Sequence, residues 1–274
     1  MRLLVLSGYV GHREKYIELA IENHMRYTSM HGYFYQFVEE HNFSDEEVQD
    51  SLVATYSWLK AAKSLELLHS NEWDYIFAID PDSIFWRMEK SLEDLILLKK
   101  DFVFAGDAWD LFNGGHFLVK NNDWSKSFLK RWLDMRSLQA PDLRTSHKSN
   151  SGRLMDQPAM NILLRSGGVG YEDITSIFNS VNGYIGNKDR QFRFFHYTHA
   201  PTSQLRLINS RKLIHSSLRQ NVEVVLQDRL NGYPFRLPGK RANVSKYDIL
   251  HFPGDSKDRL QYYANFIQSP TKGV

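Results

Sequence analysis

The stretch from Trp73 to Ile79 reads as a buried strand, and it stops at Asp80-Pro81-Asp82 before the apolar residues Ile84 and Phe85. Proline offers no amide to a ladder and fixes its own φ, so the strand ends there with two carboxylates one residue apart at its C-terminal end. In α/β sheets that end of a strand opens into the ligand-binding crevice. Two carboxylates so placed can share one hard divalent cation, directly or through water. The competing account is a turn begun by Pro81, with Asp80 capping it and Asp82 solvated.

The pattern around this strand alternates. Arg2 to Gly8 forms an apolar first strand, His12 to Met30 carries a helical repeat through Tyr16, Leu19, Ala20, Asn23 and Tyr27, and Tyr33 to Val38 has the aromatic richness of a strand. A helix is predicted from Ala54 to His69, a short one from Leu92 to Leu98, strands near Phe102 to Ala105 and His116 to Val119, and helices over Trp124 to Arg136 and Asp156 to Leu164. The predicted fold is α/β, a mixed sheet sandwiched by helices. The acidic segment Asn42 to Asp50 and the polar segment Ser137 to Arg153 read as loops. Beyond about Tyr184 the pattern loosens to one helix from Gln204 to about Leu218, a strand over Asp248 to Phe252 and a helix from Ser256 to Ile267. A single domain is expected over 1–274.

Composition removes several classes of function. The chain of 274 residues has no cysteine, so any metal must be held by oxygen or imidazole. A net charge of +2, with basic residues spread along the chain, does not suggest the focused stripe of a nucleic-acid binder. The apolar run Leu3 to Leu6 is far too short for a membrane span and lacks a signal-peptide core with a cleavage site. A soluble, cytoplasmic protein without a transmembrane segment is the expectation.

Four separated blocks carry a family resemblance. They are Asn23-His24 through His31-Gly32-Tyr33; Trp58 and Lys60 running into Trp73-Asp74-Tyr75-Ile76-Phe77-Ala78-Ile79-Asp80-Pro81-Asp82; Phe112-Asn113-Gly114-Gly115-His116 followed by Asp156-Gln157-Pro158-Ala159; and His251-Phe252-Pro253-Gly254-Asp255-Ser256-Lys257. In this order they resemble the retaining GT-A glycosyltransferases of the galactosyltransferase and xylosyltransferase kind, and the last block is similar to the terminal His-Phe-x-Gly-x-x-Lys of glycogenin-like enzymes.

The resemblance implies a GT-A fold with a nucleotide-binding part over about 1–110 and an acceptor-binding part over 111–274. It implies a metal-dependent hexosyl transfer from a nucleotide-diphosphate sugar, UDP-linked by expectation, to a carbohydrate hydroxyl. Asp80, Asp82 and His251 would bind manganese or magnesium, and Lys257 with Gly254 would hold the diphosphate. Asp156 and Gln157 would flank the donor sugar on the face opposite an acceptor that attacks beside the departing diphosphate, through an oxocarbenium-like state. A double displacement through Asp156 is the less favoured route.

The residues have readings of their own. Lysine is a mobile point charge suited to phosphate, and imidazole with carboxylates suits manganese better than calcium. His251 could instead be a satisfied histidine at a strand end. Asn113, Gly114 and Gly115 let backbone approach a ligand closely beside a bifunctional amide, or form a plain turn. Asp156 opens a helix and could simply cap it. Gly8 and Tyr9 could meet the nucleotide base or turn the chain; Lys60 could reach the nucleotide sugar or be a solvated helix lysine. Asp107 and Asp110 could touch donor hydroxyls, and Trp86, Trp109 and Phe112 could platform an acceptor ring. His196, Tyr197 and His199 rival His251 as a source of metal ligands.

Two rival functions remain. Asp80-Pro81-Asp82 with Gly106-Asp107-x-x-Asp110 mimics the nucleophile and magnesium motifs of a haloacid-type phosphatase, but the interval is too short for the intervening βα units and phosphate-binding lysine. A non-catalytic sugar-binding protein on the same fold would bind nucleotide sugar without turnover, yet every residue the chemistry needs is present.

Overall fold

The computed structural model describes residues 1–10, 14–39, 52–106, 111–138, 154–167, 211–212, 214–225 and 248–252. The chain opens with β1 (Leu3–Gly8), α1 (Lys15–His31) and β2 (Phe34–Val38). It continues through α2 (Leu52–His69), β3 (Tyr75–Ile79), β4 (Ser83–Phe85), α3 (Glu93–Ile96), β5 (Phe102–Ala105) and β6 (His116–Lys120). Then come α4 (Asp123–Asp134), a 3-10 turn (Met135–Ser137), α5 (Asp156–Ser166), a second 3-10 turn (Ser216–Leu218), β7 (Val222–Val225) and β8 (Ile249–His251).

Six strands form one mixed sheet in the order β2-β1-β3-β6-β5-β7, and β4 pairs with β8 in a separate antiparallel ribbon. β1 runs parallel to both β2 and β3, and β6 runs antiparallel to β3 and β5. The parity of the strands sorts the core. Leu4, Leu6, Ile76, Ala78, Phe102, Phe104, Phe117 and Val119 face one cluster, which Trp58 and Leu59 of α2, Phe128 and Trp132 of α4, and Leu163 of α5 complete. Leu3, Val5, Phe77, Ile79, Val103 and Leu118 face the other, where Tyr27 of α1, Phe85 and Leu95 pack. Helices therefore cover both faces, as the alternation predicts. Trp132 is 1% exposed and stands edge-on to Phe102, Phe112 and Phe117.

α1 ends at Gly32, whose φ of 68° is a left-handed conformation, with its amide bonded to Thr28 O. One face of α1 has a second task. Asn23 Nδ2 donates to Phe85 O at 3.1 Å and its Oδ1 accepts from Phe85 N at 2.7 Å, so one amide side chain replaces a neighbouring strand. His24 Nε2 lies 2.8 Å from Ser83 O, Tyr27 OH donates to Lys90 O at 2.5 Å, and His31 Nε2 lies 2.7 Å from Met88 O. On its other edge β4 pairs with β8, Ser83 opposite His251 and Phe85 opposite Ile249. The chain that follows Asp82 is thus fixed from both sides. The Asn-His-x-x-Tyr-x-x-x-His spacing is the spacing of a helix face that satisfies an extended backbone.

Several expectations need correction. β4 and β7 escape a reading by periodicity, because three- and four-residue strands carry too few side chains to show a period. The helix expected to reach Leu218 does not: His215 is extended at ψ 142°, and its side chain accepts from Ser217 N to start a separate 3-10 turn. The helix expected through Arg136 ends as α4 at Asp134 and gives way to 3-10 geometry. Phe112 is fully buried among Phe102, Phe104 and Trp132 and cannot platform an acceptor ring. The loops at Asn42 to Asp50 and at 139–153, and the helix Ser256 to Ile267, fall outside the described residues. Among the described residues no helix is long and apolar enough to cross a membrane.

Replacing Asn23 by alanine strands the amide and carbonyl of Phe85 in the core. A loss of about 1–3 kcal/mol in chemical denaturation is expected, because a buried donor left unpaired costs that much.

Candidate functional site

The parallel strands β1 and β3 both end at the same edge of the sheet, and β6 enters from that edge in the opposite sense. Ile79, the last residue of β3, therefore sits opposite His116, the first of β6. The next residues out meet as well, since Asp80 N donates to Gly115 O at 2.9 Å. This register brings Asp80-Pro81-Asp82 against Asn113-Gly114-Gly115, far apart in the chain. β8 delivers the third component, and Phe252 N donates to Asp82 O at 2.9 Å.

His251 Nε2 lies 3.5 Å from Asp80 Oδ2 and 3.2 Å from Asp82 Oδ1. One ligand atom from each of the three residues falls within 4.8 Å of the others. Asp82 Oδ1 is buried and makes no contact of full hydrogen-bond geometry among the described residues, and a cation between the three groups would satisfy it. Two carboxylates and an imidazole are a donor set that first-row divalent ions accept. The three residues therefore fit a metal, and of the two readings of His251 the ligand cluster has the geometric support.

The titratable groups push one another strongly. Burial opposes a charge on Asp80 and raises its pKa, with Lys60 acting against that rise and Asp82 adding to it. Burial also opposes protonation of His251, but Asp82 and Asp80 together outweigh it and raise the imidazole. Behind it, His116 is 0% exposed and edge-on to His251 at 5.2 Å between ring centroids. Desolvation, with His251 and Lys60 adding to it, holds His116 neutral, well below the ordinary histidine range, and neither of its nitrogens has a hydrogen-bond partner among the described residues.

Lys60 is not a solvated helix lysine. It is 7% exposed, its ammonium pairs with Asp80 Oδ1, and it donates to Gly114 O at 2.7 Å and Gly115 O at 3.1 Å. Gly114 N in turn donates to Gln157 Oε1 at 3.0 Å, and Gly115 N to Asn113 Oδ1 at 2.9 Å. The two glycines are required by space. A Cβ on Gly114 would lie 2.9 Å from Asp156 Oδ2; one on Gly115 would lie 3.0 Å from His251 Cε1 and 3.1 Å from Asp80 Oδ2.

Asp156 is the first residue of α5 and not its N-cap, which is Met155 with no side-chain bond. Desolvation lifts its carboxyl to about 6, against the pull of Lys60, the Gln157 amide and the Ser57 hydroxyl. Asn161, one helical turn beyond Gln157, accepts from Phe112 N at 2.9 Å and donates to Gln157 O at 2.9 Å. It fixes the entry to Asn113-Gly114-Gly115. Asn161 and Ser57 lie outside the residues that the sequence marks, and His116 enters there only as the end of the Asn113-Gly114-Gly115 block; for Asn161 the i, i+4 spacing from Gln157 is the available signal. Trp132 Nε1 also donates to Asp156 O at 2.9 Å, which ties α5 to the core.

Tyr9 follows β1, with its amide bonded to Val38 O at 2.9 Å and its side chain half-buried against the cluster that contains Tyr16, Ile84 and Phe252. Trp86 packs on the same cluster. A Cβ on Gly8 would lie 2.8 Å from both Val38 O and Leu59 Cδ2, so close packing of β1 against α2 requires this glycine. Asp107, Trp109, Asp110, His196, Tyr197, His199, Gly254 and Lys257 lie outside the described residues.

The nucleotide-diphospho-sugar transferase family matches residues 22–216, which include Asp80, Asp82, Asn113 to Gly115, Asp156 and Gln157 but not His251. No curated protein matches by sequence. Among solved structures, a glycosyltransferase involved in glycosylation of the major capsid of PBCV-1 is 16% identical, with 97% of this chain and 100% of that one covered and a TM-score of 0.51. That likeness concerns the fold. The glycosyltransferase GlyE of Streptococcus pneumoniae is 14% identical, with 100% of this chain and 66% of that one covered, at a TM-score of 0.42. The galactosyltransferase LgtC, solved with donor and acceptor sugar analogues, is 11% identical with 98% of each chain covered, at 0.36.

The sign of one pH effect follows from Asp156. Its folded pKa lies above the unfolded value, so its ionisation destabilises the fold increasingly from about pH 4 to its folded value of about 6, and that cost is fully present above it. Asp156→Asn is therefore expected to raise the melting temperature over wild type at pH 8, with the difference shrinking toward pH 4.

Proposed function

The chain belongs to the nucleotide-diphospho-sugar transferase family, and from that premise we propose that it transfers a hexose from a UDP-linked donor to a carbohydrate hydroxyl, with a divalent metal and with retention of anomeric configuration. The observation that carries the reading is the convergence of Asp80, Asp82 and His251, from two distant segments, on one point at the C-terminal edge of the sheet.

In this reading the three residues hold manganese or magnesium, which when bound offsets the negative charge of the diphosphate as the sugar's anomeric C–O bond breaks. Residues up to about 110 serve the nucleotide and later ones the sugars. Gly8, which ends β1, and Tyr9, which follows it, would meet the nucleotide base. Gly114 and Gly115 let Asp156, His251 and Asp80 close on their backbone, Asn113 keeps that backbone in register, and Asn113 to Gly115 would face the donor sugar. Lys257 and Gly254 would hold the diphosphate, and Asp107 the sugar hydroxyls.

Asp156 and Gln157 reach Gly114 from α5. Gln157 is held through Gly114 N, and the partly buried Asp156 carboxylate is suited to stabilise positive charge that develops at the anomeric carbon. Attack by the acceptor oxygen on the face that the diphosphate leaves forms the new glycosidic bond, and the hydroxyl proton passes to the departing phosphate oxygen. The product keeps the donor's configuration.

Calorimetric titration with UDP and with GDP, each with manganese and with chelator, tests the donor class. Manganese-dependent UDP binding is expected, lost at least about tenfold in Asp82→Asn because a charged ligand is removed from the cation. No nucleotide binding under any condition overturns the reading, and an inverted product in a donor–acceptor screen overturns retention.

A further inference from the structure

Lys60 is an unusual neighbour for a metal site. An ammonium has three donors and no acceptor, and here the three acceptors around it are one oxygen of Asp80 and the carbonyls of Gly114 and Gly115. It lies in the middle of α2, only 7% exposed, so solvent does little to screen it. The Asp80 carboxylate is divided as a result: Oδ1 faces the ammonium, and Oδ2 faces His251. From Gly114 the connection runs through its amide to Gln157. One cation thus joins the carboxylate at the end of β3, the backbone that leads into β6, and the first turn of α5.

On the reading of Asp80, Asp82 and His251 as metal ligands, we propose that Lys60 is a built-in counter-cation of that site. It leaves Asp80 one oxygen, Oδ2, to offer a metal beside His251, fixes that oxygen's direction, and sets the distance between the metal ligands and the Gln157 side of the crevice. A like charge beside the site has an electrostatic consequence: Lys60 weakens divalent-ion binding while it holds the ligands in place without the ion. Lys60 is then a positioning residue, and its removal should move metal affinity and turnover in opposite directions. A lysine that served only to stabilise the fold would lower both or neither.

The test is manganese binding by electron paramagnetic resonance at pH 8 with saturating UDP, together with melting temperatures in chelator and in manganese. Lys60→Met is expected to bind manganese about tenfold more tightly than wild type, to melt lower in chelator, and to gain more from manganese, since loss of one member of a buried pair leaves a charge that the metal can compensate. Its kcat for hexosyl transfer falls despite the tighter metal. Lys60→Arg keeps the charge and should keep wild-type affinity. Lys60→Gln, neutral but still able to donate to Asp80, provides the same comparison if the methionine variant is too unstable. If wild type binds manganese and neither neutral variant binds it more tightly, the role of Lys60 is overturned; if wild type itself binds none, the metal reading fails first and this inference with it.

Discussion

A carboxylate largely withdrawn from water at the end of a buried strand must be compensated, because desolvation of an ion is costly even after relaxation. Asp80 meets that constraint from three directions. Its amide is paired with Gly115 O, one carboxylate oxygen with Lys60, and the other with the imidazole of His251. Each partner comes from a different element, so the need to satisfy one residue fixes how α2, β6 and β8 sit against β3. The same contacts make the edge of the sheet into a site.

The second ribbon shows how backbone requirements extend that arrangement. β4 is only three residues long and would not be stable alone. It persists because β8 pairs with one edge and the side chains of Asn23 and His24 take the other. Tyr27 and His31 carry the same pattern on to Lys90 and Met88. α1 therefore positions Asp82 and, through β4, the register of His251. Residues that resemble a family signature in sequence turn out to act through backbone hydrogen bonds.

Much of the sheet was legible because its strands are long enough to show parity and its helices long enough to show a 3.6-residue period. Asp80 and Asp82 were legible for the same reason, being marked by a strand's abrupt end at Pro81. The contact of His251 with them was not, since nothing local encodes a pairing between Ser83 and a residue so distant in the chain; only resemblance suggested it. Lys60 illustrates the limit most clearly. On a helical wheel a lysine defaults to solvent, and only the approach of Gly114 and Gly115 reveals that its ammonium has three acceptors in the interior. β7 was invisible because four residues beside β5 gain their identity from pairing, not from pattern.

The central claim is that three residues from two remote segments close around one divalent ion at the end of β3. Crystals grown with manganese and UDP, measured at the manganese absorption edge, address it directly. The account predicts one anomalous peak bonded to Asp80 Oδ2, an oxygen of Asp82 and His251 Nε2, with the diphosphate on the same ion. A peak elsewhere, or UDP bound with no ion between it and these three residues, would contradict it.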